Sequence, residues 1–156
     1  MDDHERTGDS GCSGTTARPR LIATDLDGTF LDAFGSISAE NEAAFRRAAE
    51  AGVELVVATG RPWRWLDALA PLHDLDLHVL ASNGAVRYDL HDDRVTSYDA
   101  IDVDVIREVI EAVRDAADVG LALEHVDGWS CEPSYAIDHP AVSPAPFIGP
   151  ISEGLE

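Results

Sequence analysis

Asp25 and Asp27 stand two residues apart in the run Asp25-Leu26-Asp27-Gly28-Thr29, directly after a short apolar stretch. Two carboxylates so spaced at a strand end can both approach one reacting centre. Gly28 lets the backbone turn tightly and leaves peptide N–H groups to meet an anion. In this pattern Asp25 would be a nucleophile, splitting one hard displacement into two through a covalent intermediate. Asp27 would protonate the leaving oxygen and then deprotonate the attacking water. Attack of a carboxylate on a phosphate brings anion to anion, so a divalent cation with oxygen ligands, Mg²⁺, is expected to relieve the repulsion. Two more polar motifs, Thr59-Gly60-Arg61-Pro62 and Ser82-Asn83-Gly84-Ala85, also follow apolar runs.

The elements that must position these motifs form a regular succession. Leu21–Thr24 reads as a strand. Ser38 is a helix N-cap, with Glu40 and Glu42 in the first turn where the dipole favours acid. The helix from about Ala39 to Ala51 should bury Ala43, Phe45, Ala48 and Ala49, and Gly52 should end it in a left-handed cap. Val53–Ala58 is nearly all apolar, as in a parallel sheet covered on both faces. Pro62 suits the first position of a second helix, running to about Leu69. His78–Ala81 is a third strand. Strand, helix, strand, helix, strand is the pattern of a parallel α/β sheet. Ligands in such sheets bind beyond the carboxyl ends of the strands, where all three motifs fall.

Beyond that point the rhythm changes. Val86–Tyr88 and Arg94–Tyr98 read as short strands. A helix from about Val103 to Ala117 carries Val105, Ile106, Val109, Ile110, Val113 and Ala116 on one stripe, and Gly120–His125 reads as a strand. The expected division is a disordered tail over 1–19, the N-terminal part of an α/β core over 20–87, and an α+β unit over 88–156.

Asp25-Leu26-Asp27-Gly28-Thr29 resembles the first motif of the haloacid dehalogenase-like superfamily of phosphatases and phosphotransferases. Ala58-Thr59-Gly60-Arg61-Pro62 resembles the second motif of its Cof-type branch, and Ser82-Asn83-Gly84-Ala85 the segment that precedes that branch's cap. The resemblance runs from about Leu21 to Glu156. It implies a Rossmann-like parallel-sheet core, here partial, followed by the beginning of an α+β cap domain. It implies Asp25 as nucleophile and metal ligand, and Asp27 as acid/base with its carbonyl a second metal ligand. Thr59 would hold the transferring phosphoryl group with the Gly60 amide beside it. Arg61 and Asn83 mark the branch and would lie on the substrate or cap side.

The expected activity is Mg²⁺-dependent hydrolysis of a small phosphorylated metabolite, such as a sugar phosphate, through an aspartyl-phosphate. A phosphomutase using the same intermediate is one alternative. A catalytically incomplete remnant that binds phosphate, metal or a complementing partner is the other. The family pattern continues with a third motif bearing a lysine and a fourth bearing acidic metal ligands. This chain has no lysine and no such acidic cluster near its end, so it reads as an N-terminal portion. An unfinished core would favour self-association.

Composition narrows the rest. The 156 residues carry 30 acidic and 11 basic side chains, a formal net charge of −19. That field repels polyanions, which excludes nucleic acid and anionic membrane as partners. No apolar window is long enough for a membrane span, and Met1–Arg20 lacks the apolar stretch of a signal peptide, so a cytoplasmic location is expected. Cys12 and Cys131 read as free thiols. Arg64 reads as a solvated helix residue, Trp63 and Trp65 as packing or partly exposed surface, and the five histidines after residue 70 as structural or surface groups. The acidic runs Asp74–Asp76 and Asp89–Asp93 read as solvated loops.

Overall fold

The computed structural model describes residues 18–135 and 147–155; the expected tail, Cys12 and His139 lie outside them or largely so. The first sheet has five strands in chain order: β1 (Leu21–Thr24), β2 (Glu54–Ala58), β3 (Leu77–Ala81), β4 (Val86–Asp89) and β5 (Arg94–Tyr98). The first three are parallel, with Thr24 opposite Val57 and Ala58 opposite Leu80. β4 and β5 are antiparallel additions. The mixed sheet with its connecting helix is the expected α/β core. The anticipated boundary at residue 87 falls inside β4, whose pairing with β3 and β5 keeps it in the first sheet.

Helix α1 (Ala39–Glu50) is bounded as its sequence demands. Ser38 accepts a hydrogen bond from the Asn41 N–H (3.1 Å), and Asn41 in turn ties the helix to the Phe30 carbonyl (2.9 Å). Gly52, at φ +75°, provides the left-handed exit. Phe45 is the buried anchor, stacked at a tilt on Phe30 with 4.2 Å between ring centres.

The second expected helix is replaced by two 3₁₀ turns, Trp63–Trp65 and Asp67–Leu72. Pro62 is extended (ψ 149°), and Pro71 lacks the N–H that an α-helix would need there. Leu69 and Leu72 from this segment, with Phe45, cover Leu55, Val57, Leu77 and Val79.

Cover on both sheet faces was expected; among the described residues one face is covered. Alternation places Leu55, Val57, Leu77 and Val79 inward, and Ala23, Ala58 and His78 on the exposed side. The reason is topological. β1, β2 and β3 step across the sheet in one direction, and successive right-handed crossovers in one direction land on the same face.

The second sheet is small: β6 (Ala122–Glu124), β7 (Trp129–Cys131) and β8 (Phe147–Ile148). Helix α2 (Val103–Ala116) carries the predicted apolar stripe, yet none of its residues is buried, and Val105 and Val109 are about half exposed. Strands this short cover little of it. Cys131 is buried and free.

Arg64 joins the two sheets and is not the solvated residue anticipated. Its side chain is 4% exposed and grips the Glu124 carboxylate through Nη1 and Nη2 (2.5 and 2.9 Å) while Nη1 also donates to the Gly128 carbonyl (3.0 Å). Trp63 Nε1 donates to the Val126 carbonyl (3.2 Å) on the same turn. Truncation would strand Glu124, although that carboxylate keeps partial solvent access. Arg64→Ala is therefore expected to cost about 2 kcal/mol, less than a fully buried pair, and to lower the melting temperature by roughly 4–8 °C. Thermal melting followed by circular dichroism measures this; an unchanged midpoint would remove the pair from the stability of the fold.

Candidate active site

The three motifs meet on one rim because β1, β2 and β3 are parallel and end together. Asp25 follows β1, Thr59 follows β2 and Ser82 follows β3. After Asp25 the chain makes a wide turn over Leu26–Phe30, closed by the Leu31 N–H on the Leu26 carbonyl (2.9 Å). Leu26 and Phe30 are buried and anchor it, while Gly28 takes φ +71° at its apex. Asp25 and Asp27 are left exposed, and among the described residues the Asp25 carboxylate accepts no hydrogen bond.

The loop after β2 is stitched to the turn after β3. Thr59 N–H donates to the Leu80 carbonyl (2.9 Å), Asn83 N–H to the Thr59 carbonyl (3.0 Å) and Ser82 N–H to the Arg61 carbonyl (2.8 Å). Thr59 is 4% exposed, and its Oγ1 accepts the Arg61 N–H (3.1 Å). An oxygen that accepts this N–H still carries its own hydroxyl proton to donate. Ser82, Asn83 and Gly84 have successive φ values of 50°, 56° and 93°. Side chains other than glycine resist that region, so the turn is held by its bonds to Thr59 and Arg61. The Asn83 side chain packs on Gly60, where an added Cβ would lie 3.2 Å from Oδ1. Asn83 thus shapes the Thr59–Arg61 loop.

Arg61 reaches back to the first motif. Its Nε and Nη2 donate to the two Asp27 oxygens (2.9 and 2.6 Å). That bonded carboxylate holds the guanidinium above its already high ordinary pKa, against partial burial, with the Asp25 charge adding to the effect. All six residues singled out from the sequence therefore lie on the rim, and direct bonds or contacts link Asp27, Thr59, Gly60, Arg61 and Asn83.

For a metal, the rim offers the Asp25 carboxylate and the Asp27 main-chain carbonyl, both hard oxygens. Among the described residues no group of three or more His, Cys, Asp or Glu side chains is arranged to hold a metal ion. This donor set is partial, and it suits a cation such as Mg²⁺ that retains several waters.

Residues 22–145 match the family model of the haloacid dehalogenase-like hydrolases. The chain belongs to this family. Among curated relatives, it is 44% identical to the 5-amino-6-(5-phospho-D-ribitylamino)uracil phosphatase YwtE of Bacillus subtilis over 70 residues, 45% of this chain and 24% of that protein. It is 32% identical to the pyridoxal phosphate phosphatase YbhA of Escherichia coli over 96 residues, 62% of this chain and 35% of that protein. In structure it is similar to a phosphatase of the haloalkanoate enzyme superfamily from Bacteroides thetaiotaomicron, with a TM-score of 0.69 and 25% identity over 91% of this chain and 55% of that one. A subclass IIB sugar phosphatase shares the fold at a TM-score of 0.71 and 18% identity, over 87% of this chain and 54% of that one. The chain thus spans about half the length of these structural neighbours, and its matches cover still less of the curated relatives.

Proposed function

We propose that the chain carries the nucleophile, acid/base and phosphoryl-holding residues of a Mg²⁺-dependent phosphomonoester hydrolase acting on a small phosphorylated metabolite. The carrying observation is the paired-aspartate turn set on the same rim as the Thr59 loop and tied to it through Arg61. In the first step an Asp25 oxygen attacks phosphorus, the P–O ester bond breaks, and the leaving oxygen takes a proton from Asp27. In the second, a water oxygen attacks the aspartyl-phosphate as its proton passes to Asp27, and the P–O bond to Asp25 breaks to release orthophosphate. Thr59 donates its hydroxyl proton to a phosphoryl oxygen beside the Gly60 amide. The Asp25 carboxylate and the Asp27 carbonyl would hold the cation, which when bound would supply positive charge to offset that of the phosphoryl group.

A small substrate is supported by the relatives, which are named as phosphatases of small phosphorylated compounds, and by the net charge, which disfavours polyanions. Among the described residues no helix is long and apolar enough to cross a membrane. The buried free thiol of Cys131 fits the reducing cytoplasm.

The test is phosphate release by the intact protein from a panel of sugar phosphates, pyridoxal phosphate and p-nitrophenyl phosphate. Turnover should require Mg²⁺ and stop with EDTA; absence of turnover on every ester with Mg²⁺ present would defeat the proposal. A polypeptide of these 156 residues alone should bind Mg²⁺ weakly, since two oxygen ligands leave most of a hexacoordinate shell to water. Calorimetric titration should show little heat at micromolar Mg²⁺, and tight stoichiometric binding would reveal ligands beyond Asp25 and Asp27.

A further inference from the structure

A cavity of about 270 Å³ opens between the 63–73 segment and the β4–β5 hairpin. None of the six rim residues lines it. Trp63 and Tyr88 stack beside it, with ring centres 5.9 Å apart and 21° between their planes, and buried Leu66 and Leu90 extend the apolar lining. Asp67 and Asp93 supply the carboxylates. The Tyr88 hydroxyl donates to Asp93 Oδ1. Among the described residues, Asp93 Oδ2 and both Asp67 oxygens accept no hydrogen bond. Burial and then the Asp93 bond hold the Tyr88 hydroxyl well above its ordinary pKa, and the charges of Asp93, Asp67 and Asp89 add to this. Both cavity carboxylates therefore act on one hydroxyl.

The side-chain donors that line the cavity are already engaged. Arg64 is 4% exposed, its charge is met by Glu124, and its Nε is buried. Trp63 Nε1 donates to the Val126 carbonyl (3.2 Å). His73 Nδ1 faces the Ala70 carbonyl at 2.8 Å, so this nitrogen carries the proton and the neutral ring leaves Nε2 as an acceptor. What the cavity offers a ligand is acceptors and negative charge beside an apolar surface.

We propose that this cavity is a second binding site, for a small organic cation whose ammonium or amidinium group meets Asp67 and Asp93 while a flat ring lies against the apolar lining. A bare metal ion does not suit it, since among the described residues no three His, Cys, Asp or Glu side chains are arranged to hold one. An anion does not suit it either, because the unengaged charges are negative. The volume lies just below the range of pockets that take drug-sized molecules, which limits the occupant to about one ring. The site is independent of the phosphatase reading.

Benzylammonium and benzamidinium are the probes, with benzyl alcohol as the uncharged match and benzoate as the anion. Each is titrated into the intact protein at physiological salt, and the tryptophan indole N–H signals are followed in the proton–nitrogen spectrum. Both cations should move the Trp63 signal, assigned through Trp63→Phe, and saturate with Kd on the order of 1 mM. The Trp129 signal should stay in place. Benzyl alcohol and benzoate should bind at least about tenfold more weakly. Asp67→Asn combined with Asp93→Asn should weaken benzylammonium by about tenfold. Asparagine still accepts from the Tyr88 hydroxyl and tolerates the Asp93 φ of 50°, so the fold should persist. A chain of net charge −19 attracts any cation. Glu108→Gln combined with Glu111→Gln removes the same charge from exposed positions of α2 and should bind like the parent.

Equal binding of benzyl alcohol would leave the cavity merely apolar and overturn the proposal. Full affinity in the Asp67/Asp93 variant, or equal weakening in the α2 control, would overturn it as well, the latter by reducing the effect to net charge. No saturation below about 20 mM, or a shift confined to Trp65 or Trp129, would remove the site altogether.

Discussion

Asp25→Asn is expected to abolish phosphomonoester turnover, with a loss on the order of 10⁴-fold or more, as follows removal of a covalent nucleophile. An amide is a poor nucleophile and a weak metal ligand, so one substitution strikes both functions. The fold should be indifferent. Asp25 is exposed, its carboxylate accepts no hydrogen bond among the described residues, and the turn is anchored by buried Leu26 and Phe30. Removing one negative charge from a chain of net charge −19 relieves repulsion, so the melting temperature should hold or rise. The check is phosphate release at saturating Mg²⁺, together with the mass of acid-quenched protein. The parent should show one added phosphoryl group during turnover and the variant none. An asparagine variant that retains activity, or still captures phosphoryl, would remove Asp25 from the nucleophile role.

Thr59→Ala should lower kcat by about 10²–10³-fold, the usual cost of losing one fixed donor to developing negative charge. The geometry explains why this hydroxyl can be such a donor. Its oxygen accepts the Arg61 N–H, which orients it, and the residue is buried on a loop tied to the Leu80 carbonyl and to the Asn83 N–H. A hydroxyl so placed spends little on reorganisation when charge appears. Thr59→Val, which keeps the branched shape and loses the O–H, should match Thr59→Ala. Thr59→Ser should recover most of the rate. If alanine and valine variants both turn over at near-parental kcat, the phosphoryl group is held elsewhere.

The strands of the first sheet and the turns between them were legible because they are local, whereas β7 and β8 lie where no strand was expected. Leu21–Thr24 and Arg94–Tyr98 have the bounds expected from the sequence, and β2 and β3 differ by one residue at their starts. The cap serine and the glycine exit of α1 follow from backbone donors and left-handed φ, both decided within a few residues. The segment after Pro62 departs from the expected helix for an equally local reason, since a proline at each end outweighs the apolar content between them.

Asp25, Asp27, Thr59, Gly60, Arg61 and Asn83 were visible as residues because polar, glycine-containing motifs interrupt apolar runs at three strand ends. Their chemistry as types was therefore set by the sequence alone. Their relations to one another were not. The fork between Arg61 and Asp27 spans 34 residues and the grip of Arg64 on Glu124 spans 60. No periodicity or spacing encodes such pairs. A guanidinium is long enough to serve several partners, and which one it takes depends on where separate loops come to rest. Likewise, β4 turns back onto β3 through the tight turn at Ser82–Ala85, and cover falls on one face because the crossovers between β1, β2 and β3 advance in one direction across the sheet. The sequence determined which groups stand at the strand ends, through short-range sterics and hydrogen bonding. Only the tertiary structure decided which of them hold each other, because that depends on the paths of segments far apart in the chain.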